Sequence, residues 1–489
     1  MLTTATATCS NAPSLELDTL TSSALFHKAH STTRPAPTYS KPRNVKHAGE
    51  ELPSTVSSPG QSFFSHYFPE PPSPQPETNW MTEAVGVIQS VTNPKINLYR
   101  MASACLIAFT LAMNDAAIGT LLPSIETHYG IGYEVVSFIF LAIAFGFILT
   151  ATIAHTVYSY VGRAKTIMLG TANLAIGHMI VALAPPFPVV VVGFFFVGVG
   201  MTMILAQLNV FCSSLQNSTV LLGYFHGSYG VGGICAPLIA TAMVSNGFHW
   251  SKYFWILCGL SAFNCAFSTS VFWNAEKEAH IPAPVPAATN PMPRRKVLKK
   301  SLVDTTTIAT AIFIFAYQGT EVANSGWVVS FLITVREGDP TQAGYIASGF
   351  WIGITVGRFL LSHVCRRFGE IRSTFALVAG SIVFEVLVWM IPNVISNAIH
   401  TALVGLLLGP IYPCVMTVVT KVIPPQLLVS SLSVISALGS SGGAIAPFTT
   451  GVLAENHGAW VLYPVCVSLL AVMLPIWVFI SRNSKNRSE

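Results

Sequence analysis

The sequence predicts an all-α membrane protein of twelve transmembrane helices in two six-helix lobes. Composition, the rhythm of apolar stretches and an internal repeat carry that reading. Of 489 residues, 52% are hydrophobic and 9% charged, against roughly a quarter charged in a soluble domain. A soluble core cannot absorb so much apolar surface, so lipid must serve as solvent for much of the chain.

Residues 1–98 are rich in Ser, Thr and Pro, as in "FPEPPSPQPE". They lack a sustained apolar run and a secretory signal, which predicts a disordered cytosolic tail. Apolar segments then recur near 101–123, 134–157, 166–184, 188–211, 220–244 and 252–273. Six more follow near 305–332, 342–363, 373–391, 397–420, 429–453 and 460–481. Each has about the 20 residues that cross a hydrocarbon core. Between the sixes lies the polar stretch 274–301, "NAEKEAHIPAPVPAATNPMPRRKVLKK" and its next residue. Its prolines and charges read as a flexible cytosolic linker between lobes 99–273 and 302–481. Residues 482–489 close the chain as a short cytosolic tail.

Lys and Arg set the orientation. With both termini cytosolic, inward loops and flanks hold 17 basic residues and outward loops only Lys252 and Arg336. The cell membrane suits this multi-pass pattern, and so does an organelle membrane. Nine cysteines fall mostly in apolar segments or cytosolic loops. They read as small buried hydrophobes, not as a disulfide framework or zinc site. The halves echo each other. "GGICAP" ending at Pro237 and "GGAIAP" ending at Pro447 are 210 residues apart, and Gly162 and Gly369 are 207 apart. A six-span repeat of this kind marks a two-lobed transporter with a midplane site.

Together these features resemble the major facilitator superfamily over residues 99–481. The family's Gly-x-x-x-Asp-Arg-x-Gly-Arg-Arg/Lys loop is half preserved in "HTVYSYVGRAK": Gly162 and Arg163 fit, while Ser159 and Tyr160 stand where the acid and first base belong. The second-half loop "CRRFGEIR" keeps Arg366, Arg367, Gly369 and Arg372. Within the superfamily, "MNDAAIGTLLP", "AYQGTEVANSGW" and "GPIYP" resemble the fucose/glucose–proton symporters and their fungal relatives. One departure matters: the fourth-helix acid of the bacterial sugar symporters has no counterpart in "GVGMTMILAQLNV", where Gln207 and Asn209 are neutral.

An ionised carboxylate in a bilayer is expensive, about 2.5–3.5 kcal/mol on insertion scales, so Asp115 must face protein or a wet cavity. Adding 206, close to the repeat offsets, reaches Glu321. The resemblance implies that both acids lie on cavity-lining helices, the first and seventh. They are the candidates for binding a proton or a cationic substrate group, with a helix-to-helix hydrogen bond as the structural alternative. Asn114, Gln207, Asn209, His226, Gln318, Asn324, Trp327 and Tyr412 are candidate cavity residues. For His226 the alternatives are a proton relay or an interhelical donor; for Trp327 and Tyr412, a stacking wall or plain aromatic packing. Gly162, Arg163, Gly230, Gly233, Pro237, Gly369, Arg372, Gly443 and Pro447 are assigned to gating or packing. Glu385 reads as peripheral, and Arg358 as snorkelling or serving the loop motif.

No GxxxxGK[ST] or HExxH motif occurs, and no GxSxG elbow: the run "GSSGG" at 439–443 lies inside an apolar span, not at a strand-to-helix turn. Nothing therefore points to an enzyme, a cofactor, a metal or a nucleic-acid partner. The expectation is a monomeric secondary transporter whose partners are a small organic solute, protons and the lipid bilayer. Export of a metabolite, uptake of a sugar-like nutrient, and a non-transporting nutrient receptor all stay open.

Overall fold

The computed structural model describes residues 89–275 and 294–488. Of the expected disordered tail 1–98, residues up to 88, Cys9 among them, lie outside the described residues, as do linker residues 276–293. Residues 96–98 instead open the first helix, with Asn97 buried. Regular structure within them is helical. Helix α1 is Ile96–Tyr129, 34 residues long, and ends where Gly130 takes the left-handed conformation at φ 61°. A single turn, Tyr133–Val136, leads into the continuous helical tract Phe138–Ala182. That tract is divided at Gly162, whose φ of 82° and ψ of 175° break the helix into α2 (138–161) and α3 (163–182). Gly146 and Gly170 both abut the middle of the next helix, near Val199 and Gly200. Only a reversal between them puts both there, so the half-preserved loop motif is a turn, with glycine at the backbone angle that demands it.

Helices α4 (Phe187–Ser214), α5 (Ser218–Ser245) and α6 (Lys252–Phe272) complete the first half. In the second, Asp304 caps α7 (Thr305–Thr334) by accepting from the Thr307 amide at 2.8 Å. Asp339 caps α8 (Pro340–Phe368) in the same way, with Pro340 at its first position. Then come α9 (Glu370–Met390), α10 (Val394–Val422), α11 (Gln426–His457) and α12 (Leu462–Ser488). Helix α10 is interrupted at Gly409–Pro410, and Gly369, with φ 90°, makes the turn from α8 to α9.

Among the described residues, eleven helices are long and apolar enough to cross a bilayer. Helix α7 is not one of them, although it spans 30 residues. Thr, Gln, Glu and Asn side chains dilute its hydropathy, yet most of its residues are buried by neighbours. A helix sheathed by protein need not be lipophilic.

The chain ends share one side of the bundle. Arg100 Nε donates to the Val271 carbonyl at 2.9 Å, joining the start of α1 to the end of α6. Asn483 reaches Thr306, joining α12 to the start of α7. At the opposite, far side, the halves close on each other. The Glu134 amide donates to Glu455 Oε2 at 3.2 Å, Phe138 meets Phe448, and Tyr133 stands edge-on to Trp327.

The linker differs from the expected tether at its end. Residues Arg294–Val303 form a helix, with Ser301 buried and Val297 packed on the core. The run "RRKVLKKSLV" is rich in straight-chain helix formers, and two inward residues one turn apart are enough to seat it.

Candidate functional site

Polar side chains converge where α1, α5, α7 and α8 meet. Small residues permit that meeting. Gly119 of α1 lies against the Ser325 carbonyl and Gly326 of α7, while Gly230 and Gly233 of α5 face Thr355 and Trp351 of α8. A larger side chain at these points would hold the helices apart.

Asp115 occupies the α1 side, half-buried. Its Oδ2 accepts from the Tyr229 hydroxyl at 2.5 Å and its Oδ1 from Asn114 Nδ2 at 3.2 Å. Short hydrogen bonds to a carboxylate are the strong kind. Glu321, buried on α7, accepts from Arg358 Nη2 at 3.1 Å. Arg358 thus does not snorkel or serve the loop; it forms an ion pair inside the bundle. It lies in the π-helical segment Gly357–Leu361, where the wider turn re-aims side chains, a feature common at functional sites. Tyr317 flanks the ion pair and packs 6.2 Å from Tyr412. Asp115 lies within electrostatic range of Glu321, and Tyr229 within range of Glu321 and Arg358. The two acids proposed from the repeat therefore belong to one cluster, each with its own partner.

His226, exposed on α5, lies within electrostatic range of Arg358. It sits one turn nearer the chain-end side than Gly230. Gln318 is half-buried on α7 beside Gly443 of α11.

Other candidates are committed elsewhere. Asn324 is buried and donates to Glu385 Oε1 at 2.7 Å, and the Trp327 indole donates to the Pro447 carbonyl at 2.9 Å from a fully buried position. In this conformation neither presents a face to a solute. Asn209 returns its amide to the Leu205 carbonyl on its own helix, where Gln207 is half-buried. Gly162 and Gly369 are turn glycines, Arg163 is half-buried and Arg372 exposed beside them, and Pro237 lies inside α5.

The sequence reading missed one buried residue, His178, and misplaced another, Glu385. His178 of α3 contacts Asn114 Oδ1 at 3.2 Å and Ser261 Oγ at 3.0 Å. Glu385 of α9, read as peripheral, bonds Asn324 of α7, which also contacts Cys466 Sγ of α12. The 207-residue offset that relates Gly162 to Gly369 also relates His178 to Glu385. Each half thus carries one polar spoke, running from its third helix through an asparagine toward the centre. That shared offset was the signal available in the sequence.

The Major Facilitator Superfamily profile matches residues 104–447 and 306–489. The chain belongs to the Major Facilitator Superfamily. Among its relatives, bypass of stop codon protein 6 of Saccharomyces cerevisiae is 27% identical over 446 residues, covering 84% of this chain and 88% of that protein. The glucose/mannose transporter GlcP of Bacillus subtilis is 29% identical over 173 residues, 35% of this chain and 42% of that protein. Solved superfamily structures share the fold. The nucleoside transporter NupG superposes with a TM-score of 0.64 at 12% identity, covering 78% of this chain and 99% of that one. The fucose:proton symporter FucP of E. coli gives 0.56 at 16%, covering 78% and 98%.

Membership settles the general activity. This is a multi-pass membrane protein of a secondary-transport family, moving small molecules by alternating access.

Proposed function

We propose that the protein is a proton-coupled transporter of a small organic solute, with α7 completing twelve spans in two lobes, 99–273 and 302–481. The observation that carries this reading is the pairing of Asp115 with Tyr229 beside that of Glu321 with Arg358, at the junction of the two halves. A carboxylate held by a hydroxyl can exchange a proton without losing its partner. One paired with a guanidinium is tied to that partner until something displaces the pair. Asp115 is therefore the proton site, and the Glu321–Arg358 pair, flanked by Tyr317 and Tyr412, is the element a solute reorganises. Basic residues at the chain-end side orient it to the cytosol of a cell membrane. With the far side closed and His226 exposed, the conformation is open inward. The protein works as a monomer, and efflux is the direction we assign.

Metabolite profiling inside and outside cells with and without the protein tests substrate and direction together. A solute that builds up inside when the protein is removed supports efflux. One that is depleted inside indicates nutrient uptake, the reading favoured by the similarity to a glucose/mannose transporter. A solute that binds purified protein yet never moves across vesicles makes the protein a receptor and removes the proposal.

A further inference from the structure

The helix Arg294–Val303 presents three faces, and among the described residues only one packs on the bundle. At 100° per residue, Val297 and Ser301 share the face turned to the bundle, where Ser301 is buried and Val297 packs on the core. Lys296, Lys299 and Lys300 form a second face, all exposed, with Lys299 directly opposite the inward pair and Lys300 on its flank. Leu298 and Leu302 fall between these, one turn apart, and are 48% and 47% exposed. A fold that had finished burying this helix would not leave two leucines facing outward beside three lysines.

Its position names the occupant. Val303 is followed by the cap of α7, so the helix sits at the chain-end side of the bundle, where α7 leaves the membrane. Leucines on one flank with lysines beside them match the boundary between acyl chains and headgroups. There leucines enter hydrocarbon and ammonium groups stay among phosphates. Arg366, Arg367, Lys421 and Arg482 lie at the same side of the bundle, so the local field favours anions.

We propose that Arg294–Val303 is an interfacial helix that binds anionic phospholipid of the leaflet at the chain-end side, through Lys296, Lys299 and Lys300 with Leu298 and Leu302 inserted. The helix thereby ties the start of α7, which carries Glu321, to the membrane surface. The site is independent of the solute and of proton coupling, so its test needs neither.

Hydrogen exchange of residues 294–303 in the full-length protein reads the contact directly. The protein is placed in nanodiscs of phosphatidylcholine alone, or of phosphatidylcholine with phosphatidylserine. Exchange should slow with phosphatidylserine, by up to roughly a hundredfold, since each of the three lysines near an anionic surface gains about fivefold in affinity. Equal exchange in the two lipids overturns the proposal. The variant K296Q/K299Q/K300Q changes only exposed positions and should lose the lipid dependence; if it keeps the dependence, the lysines are not the ligands. Inorganic phosphate added to phosphatidylcholine discs should leave exchange unchanged. Protection equal to that from phosphatidylserine would make this a soluble-anion site instead.

Discussion

Asp115 and Glu321 are neighbours with unlike partners, and that difference predicts unlike mutants. Asp115→Asn keeps the size and hydrogen bonding of the side chain but removes its titration. Gradient-driven net transport should collapse while solute exchange persists, because exchange moves no net proton. Measuring both modes at equal surface expression separates this from a structural role, in which both fall together. Glu321→Gln strips Arg358 of its counter-charge, and a lost hydrogen bond between charged groups costs about 1.5–3 kcal/mol. The Arg358 side chain is 25% exposed, so water recovers part of that loss. Thermal unfolding should show Glu321→Gln less stable than the double variant Glu321→Gln/Arg358→Gln, which leaves no charge unpaired. A double variant weaker than both singles would contradict the pairing.

At the scale of helices, close approach decides which substitutions the bundle accepts. A Cβ on Gly119 would overlap the Ser325 carbonyl backbone, whereas one on Gly223 meets nothing within 4 Å. Gly119→Ala should therefore cost about 1–3 kcal/mol by overpacking, and Gly223→Ala should be neutral, in melting curves of detergent-solubilised protein. The far-side loop gives a pH prediction. His249 contacts His128 at 3.2 Å, and its imidazole is held below the usual histidine range, first by burial and then by His128 and Lys252. A histidine so lowered favours folding above its unfolded value of about 6.5 and loses that contribution as pH falls below it. Hydrogen exchange of residues 246–251, corrected for intrinsic rate, should rise below about pH 6, and His249→Gln should flatten the change.

Helix positions were legible in the sequence because apolar length and turn glycines are local signals; Gly162 and Gly369 fall at turns as the repeat required. The acids were legible because charge in an apolar run is conspicuous. Their partners were not. Tyr229 sits 114 residues from Asp115, and nothing along α5 distinguishes it from an ordinary packing tyrosine. The reach of Arg358 depends on a π-turn that no spacing announces. His178 and Glu385 lie on helices whose inward faces the 3.6-residue period cannot assign in a bundle that is apolar all round.

For the whole molecule, rocking of the two halves about the Asp115–Glu321 cluster requires the two sides of the bundle to move in opposition. Exposed sites give spin labels places that disturb no packing: Tyr160 and Phe368 at the chain-end side, Leu183 and Ile395 at the far side, from 65% to 86% exposed. Distance distributions by double electron–electron resonance, in the native sequence and in Asp115→Asn, test the claim most directly. Two populations are expected whose weights shift with pH, the chain-end distance shortening as the far-side distance lengthens. Asp115→Asn should freeze those weights. Distances that stay fixed at all pH values, or that lengthen together at both ends, would contradict alternating access about this cluster.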